Sequence, residues 1–403
     1  MGAPTPLKAA AIINGNAKNN KAGRVDEERQ NLRRILRNAK IDITEKADLV
    51  KGVCQDYIRM PVDIVIISGG DGTIQNFMTR LFLESYRKFG KGVTPIEFAR
   101  KLNLMALDPD SGLHLPAIYH RRRGTVNFYA DMLGMKGDIE RVAENISAAQ
   151  GMAEFARAYI PILMIYSKEN PYDLGAVQLM TLYGDAYGHA FFDEYYESKK
   201  KGKDPTFFTA MGIIARTSAS AITGSVLDDL SDLAFGSNDA GRAVYSRRYT
   251  DHLMPLVKGR FRIDGKDVLF ERNCSVMATI GTSLYGMKFF WRMPKRAEEL
   301  SAYFRPRVGE RPELLNAAEY GFHCICGNVL PTEYMKALPD FIRGTKTKMK
   351  GAHDVIAKRV EIDQEEPLRF ITDGSRQING NGAVIEVAYL QPFILLDERP
   401  VRP

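Results

Sequence analysis

The chain has 403 residues, 45% of them apolar, with 56 Lys and Arg against 49 Asp and Glu and a formal net charge of +7. That length exceeds one ordinary core and predicts two domains of a folded protein. The totals exclude a disulfide scaffold, since of four cysteines only Cys324 and Cys326 lie close together, and they offer no paired zinc-ligand spacing. A reduced compartment is expected. No apolar run approaches the ~20 residues of a membrane span, and Met1 to Lys8 lacks the charged-then-apolar order of a secretion signal.

In chain order, Lys8 to Asn14 is a predicted first strand running into the polar turn Gly15 to Asn20. A loop at the C-terminal end of a strand is where an open α/β sheet binds ligands. Asp26 to Asn38 reads as a surface helix, Ile41 to Thr44 as a second strand and Ala47 to Ile58 as a second helix. Val62 to Ile67 is a buried, β-branched strand that runs into Ser68-Gly69-Gly70-Asp71-Gly72-Thr73. Ile74, Phe77, Met78, Leu81 and Phe82 then follow at helical spacing. Such a junction offers bare N–H groups at the positive end of a helix dipole, a cradle for phosphate. Glycine serves there because a β-carbon would hold a phosphate away or forbid a positive φ. Asp71 repels phosphate, so it suits magnesium, a ribose hydroxyl or a brace for the loop. The plain alternative is a tight turn with no ligand.

Glu84 to Leu107 reads as one basic helix, Asp108 to Gly112 as a turn and Leu115 to Tyr119 as another buried strand. His120-Arg121-Arg122-Arg123 follows, then Gly124-Thr125-Val126-Asn127. The three arginines suit phosphate oxygens, or they are simply a solvated edge. Strands alternating with helices predict a doubly wound parallel sheet over residues 1–150. From residue 151 onward the runs are short, β-rich and separated by turns, which predicts an antiparallel sandwich-like domain over 151–403. Its C-terminal tail is free to return to the first domain. One apolar helix, Phe207 to Leu230, interrupts and could line a greasy pocket.

Ser68 to Thr73 after a buried strand resembles the signature shared by diacylglycerol, sphingosine and ceramide kinases and by NAD kinases. Gly124-Thr125-Val126-Asn127, followed by Leu133-Gly134, is similar to the Gly-Thr-x-Asn-Asp…Leu-Gly stretch of diacylglycerol kinases. Weaker likenesses continue through Gly184 to Glu197, Leu284-Tyr285-Gly286-Met287 with Pro294, Leu338 to Gly344 and Ile371-Thr372-Asp373-Gly374, an order that NAD kinases lack. The resemblance implies an NAD-kinase-like nucleotide domain, a β-rich lipid domain and an ATP- and magnesium-dependent lipid kinase. Asn14, Ser68, Gly69, Gly70, Asp71, Gly72, Thr73, Gly124, Thr125 and Asn127 would then bind the nucleotide. Asp71 would organise magnesium or the loop, and Asp373 or Asp193 would orient the lipid hydroxyl. The chain departs from the family at three acids: Gln75-Asn76 follows the loop, Phe128 replaces an Asp and Ser375 a Glu. Phosphoryl transfer depends on positioning and charge neutralisation more than on a strong base, so these losses leave activity open.

Basic and aromatic residues mix at Phe289 to Arg296, and lysines cluster at Lys199 to Lys203 and at Lys346, Lys348 and Lys350. They predict docking on an anionic membrane surface, with a peripheral, cytoplasmic location at the inner membrane face. No zinc knuckle or aromatic RNA-binding motif appears, so nucleic acid is not an expected partner. A homodimer is an open option. The alternative functions are a catalytically degenerate nucleotide or lipid sensor and an NAD-kinase-like enzyme.

Overall fold

The computed structural model describes residues 7–17, 22–123, 138–200, 212–217, 256–272, 274–278, 316–329, 345–373, 375–378 and 380–395, with Tyr129, Ala130 and other isolated positions and pairs between them. Small and β-branched residues make β1 (Ala9–Asn14) a buried strand. After it come α1 (Ala22–Ile35), β2 (Lys40–Thr44), α2 (Ala47–Arg59), β3 (Ile64–Gly69), α3 (Asp71–Phe89), α4 (Pro95–Leu107), β4 (Ala117–Arg122) and α5 (Ile139–Ala148). The four strands pair in parallel in the order β2-β1-β3-β4. Every residue of β3 is buried, as a strand covered on both faces requires.

The run from Glu84 to Leu107 is two helices rather than one. The first stops at Gly90, whose N–H bonds the Tyr86 carbonyl, and Gly92 takes φ 83° in the connection. Thr94 then opens α4 with a capping box to Glu97 and Pro95 in the first turn. Strand β4 continues through Arg122, so most of the arginine run is strand, not loop.

The second half comprises β5 (Ala156–Ser167), β6 (Gln178–Met180), β7 (Leu182–Ala186), α6 (Tyr187–Lys200), β8 (Leu256–Ile263), β9 (Lys266–Arg272), β10 (Cys274–Ala278), β11 (Phe322–Gly327), β12 (Ala352–Ala357), β13 (Arg359–Gln364), β14 (Arg369–Thr372), β15 (Ser375–Ile378) and β16 (Gly382–Leu395). Strand β16 is buried over all 14 residues. It pairs antiparallel with β5 and β13, and its Phe393 meets Ile118 of β4 in parallel. The last strand therefore joins the parallel sheet to the β-rich half in one ten-stranded mixed sheet. A six-stranded antiparallel sheet, β12-β11-β10-β7-β14-β15, faces it. Phe261, Phe270 and Ile385 from the first sheet and Tyr183, Cys324 and Phe370 from the second share one core. The segment Gln178 to Tyr183, one run in the sequence, divides at Thr181: β6 pairs in the large sheet and β7 in the small one.

Candidate nucleotide site and its buried aspartates

Strand β3 ends at Gly69 and α3 starts at Asp71, with Gly70 between them at φ −95° and ψ 179°. No glycine of this junction has a positive φ, so that reason for glycine does not hold here. Gly69 instead permits a close approach: a β-carbon on it would lie 2.5 Å from Thr73 Oγ1. The first turn of α3 thus folds back over the strand end. Asn14 Nδ2 donates to the same Thr73 Oγ1 at 2.9 Å and joins the tip of β1 to the loop.

The arginine run is laced to this loop from the other side. Ser68 and Gly69 lie opposite Arg121 and Arg122 in register, and the Gly69 carbonyl accepts from Arg123 N at 3.1 Å and His120 Nε2 at 3.0 Å. Arg121 and Arg123 turn inward to Glu28 of α1, at 2.5 and 3.1 Å from one carboxylate oxygen. Glu28 is buried, and its other oxygen, Arg123 Nε and Ser68 Oγ are buried with no hydrogen-bond partner. These two arginines are therefore mostly buried and paired, while Arg122 between them is exposed.

A cleft of about 650 Å³ opens next to the loop, within the size range of small-molecule sites. Gly72 and Thr73 form part of its wall, with Asn14 from the end of β1 and Thr44 from the end of β2. Arg80 of α3 and Gln178 of β6 complete it, so both halves of the protein contribute. The cleft lies at the C-terminal ends of the parallel strands, the ligand-binding end of such sheets.

Behind the loop runs a line of buried groups. Asp71 Oδ1 accepts from Tyr129 N at 3.3 Å, and the Tyr129 hydroxyl donates to Asp373 Oδ2 at 3.1 Å. Asp373 also accepts from Thr181 Oγ1 at 2.8 Å, from Leu182 N at 2.9 Å and from Thr181 N. Its backbone is left-handed, with φ 44°, and its own N–H bonds the Leu182 carbonyl. Burial pushes the Asp373 carboxyl up to about 7; the Thr181 and Tyr129 donors oppose that rise, and the charge of Asp71 adds to it. Burial also holds the Tyr129 phenol far above its ordinary range, so it stays a donor. Alongside, Gln75 Nε2 donates to Thr372 Oγ1 at 2.6 Å and ties α3 to β14.

The structure thus brings Asn14, Gly69, Gly70, Asp71, Gly72, Thr73 and Asp373 together with Ser68 beneath them. Asp193 stands apart from that line on α6, partly exposed and 3.2 Å from His189 Nδ1. Gly124, Thr125, Asn127, Phe128, Gly374, the Ser375 side chain, Leu284 to Met287 and Pro294 lie outside the described residues. Among the described residues, no three His, Cys, Asp or Glu side chains converge as a metal site. Five participants were not singled out in the sequence: Glu28, Arg80, Tyr129, Thr181 and Gln178. Tyr129 stands two residues after Asn127, and that proximity was the one available signal.

A family model matches residues 8–155, that of the diacylglycerol kinase catalytic domain. Two solved structures from Bacillus anthracis str. Sterne, each described as a candidate diacylglycerol kinase, share the fold. One is 13% identical over 96% of both chains with a TM-score of 0.51. The other is 14% identical over 98% of both chains, also with a TM-score of 0.51. No curated protein matches the chain.

Proposed function

We propose that this protein is an ATP-dependent lipid kinase that phosphorylates a hydroxyl of diacylglycerol or of a ceramide or sphingoid lipid. The Asp71–Tyr129–Asp373 line carries this reading, because it joins the nucleotide loop to the β-rich half beside a cleft of suitable size. The amides at the start of α3 and the Thr73 hydroxyl would hold nucleotide phosphates. Magnesium bound through phosphate oxygens and water needs only one or two protein carboxylates, and Asp71 fits that role. The ion would neutralise charge on the phosphates. Asp373, with a carboxyl near neutrality, would take the proton of the lipid hydroxyl as the phosphoryl group moves to its oxygen. Arg80 supplies positive charge at the cleft wall.

A second reading is a nucleotide- or lipid-binding protein without turnover. The observation that favours it is that both Asp373 oxygens already accept hydrogen bonds. Labelled ATP offered with diacylglycerol, ceramide, sphingosine and NAD separates the readings. Labelled lipid supports the kinase, ATP binding without product supports the silent binder, and labelled NAD with no labelled lipid overturns both.

We further propose that the protein works at an anionic membrane surface on the cytoplasmic side. Lys346, Lys348 and Lys350 are exposed while Thr347 and Met349 between them are buried, which forms a cationic row. Phe289 to Arg296 and the side chains of Lys199 to Lys203 lie outside the described residues. No described helix is long and apolar enough to cross a membrane. Vesicle binding should weaken as salt screens charge over ~10 Å at 0.1 M. Salt-independent binding would remove the electrostatic surface.

A further inference from the structure

We propose a second ligand site at the opposite end of the parallel sheet, for a single-chain amphiphile with an anionic head. A cavity of about 770 Å³ opens there, where β1, β2 and β3 begin. The six residues of β1 at ~3.3 Å each place it roughly 20 Å from Asn14 and the glycine loop. The site is therefore independent of the nucleotide cleft and of the kinase reading.

Its chemistry is two-sided. Leu7, Leu36, Val62 and Ile146 supply an apolar wall, and Met60 stands 63% exposed at the rim. Lys8, Arg34, Arg37 and Lys40 line the cavity with one carboxylate, Asp56, and a second, Asp42, lies 3.8 Å from Lys40. Lys40 and Asp56 bond each other and cancel. Arg34 and Arg37 are exposed and make no ion pair among the described residues, so the rim keeps a positive excess. Guanidinium groups favour phosphate and carboxylate over neutral heads. Tyr57, 4% exposed, also lines the cavity, with its hydroxyl beside Asp42. An inorganic anion would leave the apolar wall and Met60 unused, and a neutral chain would leave the arginines unused. The volume is that of a drug-sized ligand, which suits one chain better than two.

The test is calorimetric titration of the full chain with dodecyl phosphate below its micelle concentration, inorganic phosphate and the uncharged dodecyl maltoside. Dodecyl phosphate should bind at least tenfold more tightly than either comparator. The exposed pair R34E/R37E should lose that binding at least tenfold while ATP affinity stays unchanged. Equal binding of the maltoside would show an apolar crevice without anion recognition, and equal binding of inorganic phosphate would show a bare anion site. Dodecyl phosphate binding that survives R34E/R37E lies elsewhere, most simply in the catalytic cleft. Each of those results, or no binding at all, overturns the proposal.

Discussion

Asp71 and Asp373 are placed by opposite means. Asp71 is the first residue of α3, and its position follows from a strand, two glycines and a helix start within a few residues. The helix dipole favours its charge there. Asp373 is held by Thr181 and Tyr129, 192 and 244 residues away, in a left-handed backbone. It acquires its environment only when α3, the β6–β7 crossing and β14 have assembled. One acid is a product of local sequence and the other of the whole fold.

The largest effect that would sharpen this contrast belongs to Asp373→Asn. Turnover should fall roughly 10³-fold, within the range of a lost general base, with ATP affinity unchanged. The same variant tests the linkage. Between the ordinary 3.8 and about 7, folded Asp373 keeps a proton that the unfolded chain has lost. Wild-type stability should therefore fall as pH rises through that window, and Asp373→Asn should lack this contribution. Intact turnover would remove Asp373 from catalysis, and melting curves with identical pH dependence would remove its raised carboxyl.

Next in size is Glu28→Ala, which strands Arg121 and Arg123 in the interior. A broken buried ion pair costs about 3 kcal/mol in denaturant unfolding. Unchanged stability would mean that the arginines reach solvent. Gly69→Ala should cost about 2 kcal/mol by overpacking against Thr73, and Thr73→Gly in the same chain should recover part of it. Additive losses would show that the loop relaxes and that the close approach is not fixed.

These differences explain what the sequence disclosed. The parallel sheet and the glycine loop were legible because each strand, turn and helix declares itself within a short window. Gly90 and the Thr94-Pro95-Ile96-Glu97 cap also lay in plain view, but the continuous basic and apolar pattern across them concealed the break. Thr181 carried no local signal: a threonine inside a β-rich run becomes special only because the chain changes sheets there. The Arg121 and Arg123 ion pairs depend on a helix more than 90 residues earlier, and no spacing rule connects them to Glu28. Asp373 could be chosen by its likeness to a family turn, yet its burial and its donors belong to tertiary structure.

The smallest predicted effect isolates one donor of that tertiary shell. Thr181→Val keeps the shape of the side chain and removes the 2.8 Å hydroxyl bond to Asp373 Oδ1, together with the hydroxyl's contact to Tyr129. The amides of Thr181 and Leu182 and the Tyr129 hydroxyl remain. A hydrogen bond to the charged form lowers a carboxyl pKa, so its loss should move Asp373 further upward. If Asp373 is the base, turnover rises with pH as it loses its proton, and in Thr181→Val that rise should move to higher pH with its plateau kept. The decline of stability with rising pH should extend upward in parallel, since both report one proton. A shift in the melting profile with an unmoved pH–rate curve would make Asp373 a purely structural brace, positioned by the whole fold but absent from the chemistry.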